Sequence, residues 1–313
     1  MSQTKKNVIS IILFILIFGG LLTVATFYDL EISKILTNGN LLIGEYYAVD
    51  TMGLIVEYIG SFPIFVFGIF ACLVFIRKLR DFKWYGKILQ FILFLVMVFV
   101  CEMLIGDTLK YYSRVHDMEA FYKATSTTIV LYAISLLICI FLWVCYRNTN
   151  DEKNERYFTF AGVILITCIG YYITVNVIKS PMGRMRFRGM NLINDFSYYT
   201  PWYMVSDAKH QLVEMNQSLG DAFKSFPSGH TYSAGVSYVL ICMPFVNRKY
   251  DTPGWRRFWY ILPIFYTGLV GFYRIVVGAH FMSDVLVGGT LAFLFASITK
   301  YFVYTRKEIQ RTY

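Results

Sequence analysis

The chain has 313 residues, of which 57% are hydrophobic, 19% are aromatic and only 16% are charged, proportions unlike those of an ordinary soluble domain. Its net charge of +9 would suit a nucleic-acid-binding protein if the chain were soluble. Much of that charge lies in short segments between apolar runs, however, so the composition favours a protein of the lipid bilayer with no nucleic-acid partner.

Apolar runs long enough to cross the roughly 30 Å of hydrocarbon in a bilayer recur along the chain. They predict an all-α, polytopic membrane helix bundle with about eight transmembrane helices. The predicted spans are Val8–Phe27, Met52–Ile76, Ile88–Ile105, Thr127–Tyr146, Tyr157–Ile178, Thr231–Val246, Phe258–Val277 and Phe281–Tyr301. The first run is longer than the apolar part of a typical signal peptide and lacks a small-residue cleavage site, so we interpret it as a retained helix.

Short basic segments indicate how the predicted helices are oriented. With a cytoplasmic N-terminus, the positive-inside rule is satisfied by four segments: Arg77–Arg80, Arg248–Lys249, Arg256–Arg257 and Arg306–Lys307. The acidic segment Asp29–Asp50 and the polar stretch Lys179–Phe226 then lie outside. We therefore expect a multi-pass protein of the cytoplasmic membrane, with both termini in the cytoplasm and its functional site on the outer face.

The sequence gives no indication of a metal ion or another cofactor. All six cysteines lie inside apolar runs and none forms a CxxC pair, which argues against a disulfide framework and a zinc site. No cluster of carboxylates accompanies the polar motifs, so a site for Mg²⁺ or Zn²⁺ is not predicted either.

Two of the polar clusters that border the apolar spans are rich in cations. The first contains Lys179, Arg184 and Arg186, and the other contains Arg274, followed by His280 and Asp284. Polar groups at the ends of membrane spans are energetically costly unless they are paired or bind a ligand. Arginine forks and a lysine point charge can together surround one phosphoryl group and offset the charge on its oxygens. These cations therefore predict an anion site, although Arg184 is equally well explained as a contact to lipid headgroups.

A third polar cluster, Pro227-Ser228-Gly229-His230, lies between the two and directly precedes the span that starts at Thr231. Backbone N–H groups at a helix N-terminus can bind the same phosphate oxygens, and Gly229 permits a close approach of the backbone. The hydroxyl of Ser228 can add a further hydrogen bond.

The side chains of His280 and Asp284 are four residues apart, which brings them to one helical face if the helix has already begun there. A carboxylate bonded to one ring nitrogen fixes the tautomer and leaves the other nitrogen as a nucleophile toward phosphorus. His230 is then the candidate acid for the leaving oxygen and the base for an attacking water.

These clusters resemble the signature of the type 2 phosphatidic acid phosphatase (PAP2) superfamily. That signature has a lysine, six residues and Arg-Pro, then Pro-Ser-Gly-His, then Ser-Arg, five residues, a histidine, three residues and an aspartate. Lys179 and Arg186 match its first part, residues 227–230 match its second, and Arg274, His280 and Asp284 match its third. Phe187 stands where the family has proline, and Tyr273 where it has serine. Neither departing position is catalytic in the family, so the resemblance implies altered loop geometry without loss of the chemistry.

The resemblance implies a role for each matched residue. Lys179, Arg186 and Arg274 would bind phosphate, Ser228 and Gly229 would assist, His280 would be the nucleophile, Asp284 would orient it, and His230 would be the acid. The resemblance also divides the chain into a PAP2-like catalytic core at residues 157–313 and preceding helices at 1–156. Some of these preceding helices are additional to the family core, and the sequence does not identify which.

The sequence thus predicts a metal-independent membrane phosphatase that removes phosphate from a lipid phosphate or diphosphate of the phosphatidate, phosphatidylglycerophosphate or polyprenyl diphosphate class. Two alternatives stay open: a phosphotransferase that uses the same phosphohistidine, and a non-catalytic lipid-binding or transport protein. The lipid and the oligomeric state are not indicated. Glu57 and Glu102 lie in or near apolar spans, where an ionisable group indicates either a function or a hydrogen bond between helices.

Overall fold

The computed structural model describes residues 3–37, 51–115, 118–209 and 220–305, and these form helices and connecting turns without a β-strand. In chain order their α-helices are α1 (Gln3–Thr37), α2 (Thr51–Lys78), α3 (Trp84–Val115), α4 (Glu119–Lys123), α5 (Thr125–Tyr146), α6 (Asp151–Ile173), α7 (Ser180–Met182), α8 (Phe187–Ile193), α9 (Gly229–Gly235), α10 (Met243–Val246), α11 (Pro253–Val276) and α12 (Met282–Lys300). A π-helical segment, Thr174–Lys179, joins α6 to α7.

Within the described residues, seven helical segments are long and apolar enough to cross a membrane. They are Ile12–Thr37, Tyr58–Asp81, Trp84–Lys110, Thr125–Tyr146, Asp151–Ile193, Pro253–Val276 and Met282–Tyr304. The prediction of a polytopic, all-helical membrane bundle is therefore confirmed.

The predicted span Thr231–Val246 is helical but is not one continuous α-helix. α9 gives way to a 3-10 helix, Val236–Cys242, which leads into α10. At the end of α9, Gly235 packs so closely on α12 that a Cβ there would lie 2.5 Å from the Cβ of Ala292. Close packing and the proline of α10, which cannot donate a backbone hydrogen bond, both work against an uninterrupted α-helix here.

The first helix is longer than its predicted span, because α1 continues to Thr37. Its last turns contain Asp29, which is buried, and Glu31, which is exposed. The prediction of an acidic loop that starts at Asp29 is therefore wrong at its beginning. Residues 38–50, the rest of that segment, lie outside the described residues.

Two helices of the N-terminal half, α1 and α2, pack directly on those that carry the polar motifs. α2 contacts α3, α6, α9 and α11, and α1 contacts α11 and α12. At the opposite end of α2 from its first residue, Arg77 donates to the Thr149 carbonyl at 2.9 Å and pairs with Asp151 at 2.6 Å. Part of the positive charge expected on the cytoplasmic side is thus neutralised by the segment that begins α6.

Candidate active site

The three polar clusters meet at one end of the bundle. Lys179 ends the π-helical segment after α6, Arg186 directly precedes α8, Arg274 lies in the last turn of α11, and His280 lies just before α12. Lys179 is 9% exposed, Arg186 5% and Arg274 1%, while His280 is completely buried. Charged groups buried to this degree need opposite charges or a ligand.

The turn between α11 and α12 fixes His280 relative to Arg274. The backbone N–H groups of Ala279 and His280 both donate to the carbonyl of Arg274, each at 3.1 Å. Gly278 adopts a φ of 63°, a left-handed conformation that favours glycine. The histidine and the arginine therefore belong to one compact turn.

Asp284 faces His280 through the cap of α12. The helix begins at Met282, so His280 lies before it, and the two side chains do not share a helical face. Instead, Oδ2 of Asp284 accepts a hydrogen bond from the N–H of Phe281 at 2.8 Å, which turns the carboxylate back toward the preceding loop. His280 Nδ1 then lies 3.6 Å from the same oxygen.

The environment of His280 disfavours protonation of its imidazole. Burial, and then the positive charges of Lys179, Arg186 and Arg274, lower the pKa of His280 well below its ordinary value, and His230 adds to this effect. Neither ring nitrogen forms a hydrogen bond with the described part of the chain. With Nδ1 facing Asp284, Nε2 is the nitrogen that is left to react.

Ser228 and Gly229 join the second motif to the other two. Ser228 is the N-cap of α9, where its Oγ accepts hydrogen bonds from the N–H and hydroxyl of Thr231 at 3.3 and 2.8 Å. Its backbone N–H donates to the carbonyl of Asp284 at 3.0 Å. A Cβ at Gly229 would lie 3.5 Å from Lys179 Nζ, so the glycine leaves space beside the lysine.

His230 occupies the partly exposed side of the site, next to α2. A Cβ at Gly60 of α2 would lie 3.8 Å from both Cβ and Cδ2 of His230. His230 is less buried than His280, yet it is close enough to contribute to the low pKa of that residue. The structure thus brings the two predicted histidines together.

Arg184 differs from the other cations in its contacts. It is completely buried, and its Nη1 donates to Asp284 Oδ1 at 2.6 Å, while its Nη2 donates to Asp29 Oδ2 at 3.0 Å. Its guanidinium is therefore shared between two carboxylates. These contacts argue against the predicted role of Arg184 in binding phosphate, because its charge and hydrogen bonds are already used.

Residues that the sequence motifs did not indicate complete the surroundings of Asp284. Ser225 Oγ donates to Asp284 Oδ2 at 2.5 Å, and Ser283 Oγ accepts from Arg184 at 2.8 Å. Asp29, from α1, accepts hydrogen bonds from the backbone N–H of Ser283 at 2.9 Å and from its hydroxyl. A carboxylate directly after an apolar run was the one sequence signal that pointed to Asp29.

Both departures from the family signature fill apolar space. Phe187 is 1% exposed and packs against Phe196, with ring centroids 5.4 Å apart. Tyr273 packs against a buried cluster to which Val56 of α2 belongs. Glu102 lies on α3, which packs mainly on α2 and α5, while the side chain of Glu57 lies outside the described residues.

Buried cations and two histidines lie together at one end of a helical membrane bundle, an arrangement that could hold a phosphate-like anion. The sequence model of the PAP2 superfamily matches residues 159–308. An undecaprenyl-diphosphatase of Bacillus subtilis (strain 168) is 31% identical over 187 residues, which are 57% of this chain and 75% of that protein. The chain belongs to the PAP2 superfamily.

This chain matches a smaller share of two further relatives. A lipid A 1-phosphatase of Rhizobium etli is 28% identical over 161 residues, 51% of this chain and 57% of the relative. A phosphatidylglycerophosphatase B of Bacillus subtilis (strain 168) is 35% identical over 84 residues, 25% of this chain and 38% of the relative. No solved structure matches the chain.

Proposed function

We propose that this protein is a membrane lipid phosphatase that hydrolyses a lipid phosphate or diphosphate through a phosphohistidine at His280. The observation that carries the proposal is the setting of His280, which is buried among cations that lower its pKa. Nδ1 of its ring is directed at Asp284. An imidazole in this state is a nucleophile already oriented toward a bound phosphorus atom.

The charge of the site suits a phosphate dianion. The buried charged groups here are four cations, namely Lys179, Arg184, Arg186 and Arg274, and two carboxylates, Asp29 and Asp284. These groups have a net charge of about +2, which matches the roughly −1.5 to −2 of a phosphomonoester near neutral pH. His230, the proposed acid, is protonated before the first step. Lys179, Arg186 and Arg274 are the proposed phosphate ligands, with Ser228 and Gly229 beside them.

In the first step, Nε2 of His280 attacks phosphorus and the bond from phosphorus to the lipid oxygen breaks. His230 donates a proton to that oxygen, so the lipid leaves as a neutral alcohol or as a less charged phosphate. The phosphorylated ring becomes positively charged, and Asp284 stabilises it through the proton on Nδ1. The phosphate-binding cations offset the negative charge that spreads over the phosphoryl oxygens.

In the second step, His230 accepts a proton from water, and the water oxygen attacks phosphorus. The bond from phosphorus to nitrogen breaks, its electrons return to His280, and inorganic phosphate is released. Both histidines then regain their starting protonation states.

The names of the relatives support a lipid substrate, because they describe phosphatases of undecaprenyl diphosphate, lipid A and phosphatidylglycerophosphate. We propose that the site lies on the outer face of the cytoplasmic membrane, with both termini on the inside. The basic residues near the opposite end of α2 support this orientation.

The reaction needs no metal ion in this scheme, because His280 supplies the nucleophile and the cations stabilise the charge. The test is phosphate release by the purified protein in detergent with excess EDTA. The substrates are dioctanoyl phosphatidate, phosphatidylglycerophosphate and a short polyprenyl diphosphate. We expect release from at least one lipid, its loss in His280→Gln, and an acid-labile phosphoenzyme in the wild-type protein.

Two results would overturn the proposal. A requirement for added Mg²⁺ or Zn²⁺ would contradict the metal-independent mechanism, and unchanged phosphate release by His280→Gln would contradict the phosphohistidine. Adding an acceptor alcohol separates hydrolysis from transfer, since a phosphotransferase would form a phosphorylated alcohol at the expense of free phosphate.

A further inference from the structure

An aspartate on the first helix is tied to the catalytic end of the last one. Asp29 is 1% exposed, and both of its oxygens accept hydrogen bonds from Ser283, the residue that precedes Asp284. A buried carboxylate on a transmembrane helix is costly unless it is fully paired, so such a residue is a candidate for a function. α1 lies outside the residues that the family model matches.

Arg184 connects this aspartate to Asp284. Its two terminal nitrogens are divided between the carboxylates, with Nη2 on Asp29 and Nη1 on Asp284. Its Nε donates to the carbonyl of Thr200 at 2.7 Å, and the guanidinium lies over the ring of Phe281 with 4.2 Å to the centroid. The plane of the guanidinium is therefore fixed on all sides.

We propose that Asp29 is a positioning residue for catalysis, which acts through Arg184 to hold the Asp284 carboxylate in the orientation that presents Oδ2 to His280. This inference rests on the proposed phosphohistidine mechanism. Arg184 holds Oδ1, while Phe281 N–H and Ser225 Oγ hold Oδ2, so neither oxygen can rotate away from its partners.

Charge is the second reason for the role of Asp29. The negative charge of Asp29 offsets the positive potential of Arg184 near His280, which favours a phosphorylated imidazolium there. Without Asp29, Asp284 alone would offset the charge of Arg184, and the imidazolium would be less stable. The guanidinium would also be free to close more fully onto Asp284 and turn it.

The test compares Asp29→Asn, Arg184→Gln and the double variant with the wild-type protein, using dioctanoyl phosphatidate. Asp29→Asn keeps the shape of the side chain and removes its charge. We expect kcat to fall roughly 10- to 100-fold, the range usual for a group that orients a reacting residue through another. KM and inhibition by inorganic phosphate should stay unchanged, because the phosphate-binding cations are not altered. Glu31→Gln, an exposed carboxylate two residues further along α1, is the matched control and should retain full activity.

The double variant shows whether Asp29 acts on activity through Arg184 or independently of it. If Asp29 acts through Arg184, the double variant should lose no more activity than Arg184→Gln alone, whereas additive losses would overturn the inference. Wild-type kcat in Asp29→Asn would overturn it too, as would a phosphate inhibition constant that rises in step with the loss.

Two further comparisons keep the test decisive. If Asp29→Asn does not yield a folded protein, Arg184→Lys takes its place, because it keeps the positive charge but loses the fork. A lower kcat at constant KM then supports the inference, and an unchanged kcat overturns it. If the wild-type protein releases no phosphate from any lipid, the proposed function fails together with this inference. Wild-type activity with an equally active Asp29→Asn overturns the inference alone.

Discussion

Asp284→Asn changes a single oxygen to a nitrogen, at a position where every neighbour donates a hydrogen bond. Oδ1 of Asp284 accepts from Arg184, and Oδ2 accepts from the N–H of Phe281 and from Ser225 Oγ. The asparagine must therefore direct its NH₂ group at one of these donors. Loss of the charge-assisted bond to Arg184, or an unpaired backbone N–H at Phe281, costs about 1–3 kcal/mol in either case.

The second orientation has a further consequence for His280. An NH₂ group in place of Oδ2 would face Nδ1 of the ring, 3.6 Å away, and favour the tautomer that carries its proton on Nε2. That nitrogen could then no longer attack phosphorus. We expect kcat to fall by roughly 10²- to 10⁴-fold, the upper value being that of an enzyme whose histidine is left in the wrong tautomer.

The protein should still fold, because Arg184 keeps its ion pair with Asp29 when Asp284 is neutral. kcat and KM are measured with dioctanoyl phosphatidate, and thermal unfolding is followed in the same detergent. Glu152→Gln, an exposed carboxylate at the other end of the bundle, is the control. A kcat close to that of the wild-type protein, or a loss that appears entirely in KM, would refute the role assigned to Asp284.

Three further expectations concern pH, packing and the proton donor. Burial and the surrounding cations hold the pKa of His280 well below its ordinary 6.5. Protonation of His280 should therefore lower kcat/KM only at a pH below 6.5. A decrease in kcat/KM that depends on His280 and has its midpoint at or above pH 6.5 would contradict this. Gly288→Ala should lower the free energy of unfolding by about 1–3 kcal/mol, because its Cβ would lie 2.5 Å from the carbonyl oxygen of Ser228, while Gly268→Ala, with open space around it, should show no such loss in thermal unfolding. His230→Ala should spare p-nitrophenyl phosphate more than a lipid phosphate, since a good leaving group needs less protonation; equal losses of kcat on both substrates would count against His230 as the acid.

The motif residues were accessible to prediction because their chemistry requires particular residue types at particular spacings. The helical spans followed from apolar length alone, and seven helical segments of the described residues meet that criterion. The break after α9 was not predicted, although the proline of α10 is visible in the sequence. The close approach of Gly235 to α12 is a contact that the sequence does not show. The length of an apolar run gives no information about contacts between helices that are distant in sequence.

Arg184 shows where the sequence argument stopped. Its position between two proposed phosphate ligands suited a contact with phosphate. Only Arg186 matches the family signature, however, and Arg184 was equally well explained as a contact to lipid headgroups. The difference is a partner 155 residues away, Asp29, which became visible only when α1 was found to extend past its predicted end. A long-range ion pair of this kind cannot be recognised from the local sequence.

The same pair bears on how the N-terminal helices relate to the catalytic half. α1 supplies Asp29 to the network behind Asp284, and α2 places Gly60 against His230. Removing α1 and α2 would take away one of the two carboxylate partners of Arg184 and would expose one side of His230. Both effects act on residues that the proposed reaction needs, one on the orientation of the nucleophile and one on the proton donor. α1 and α2 are therefore better understood as one wall of the proposed site than as a separate addition to it.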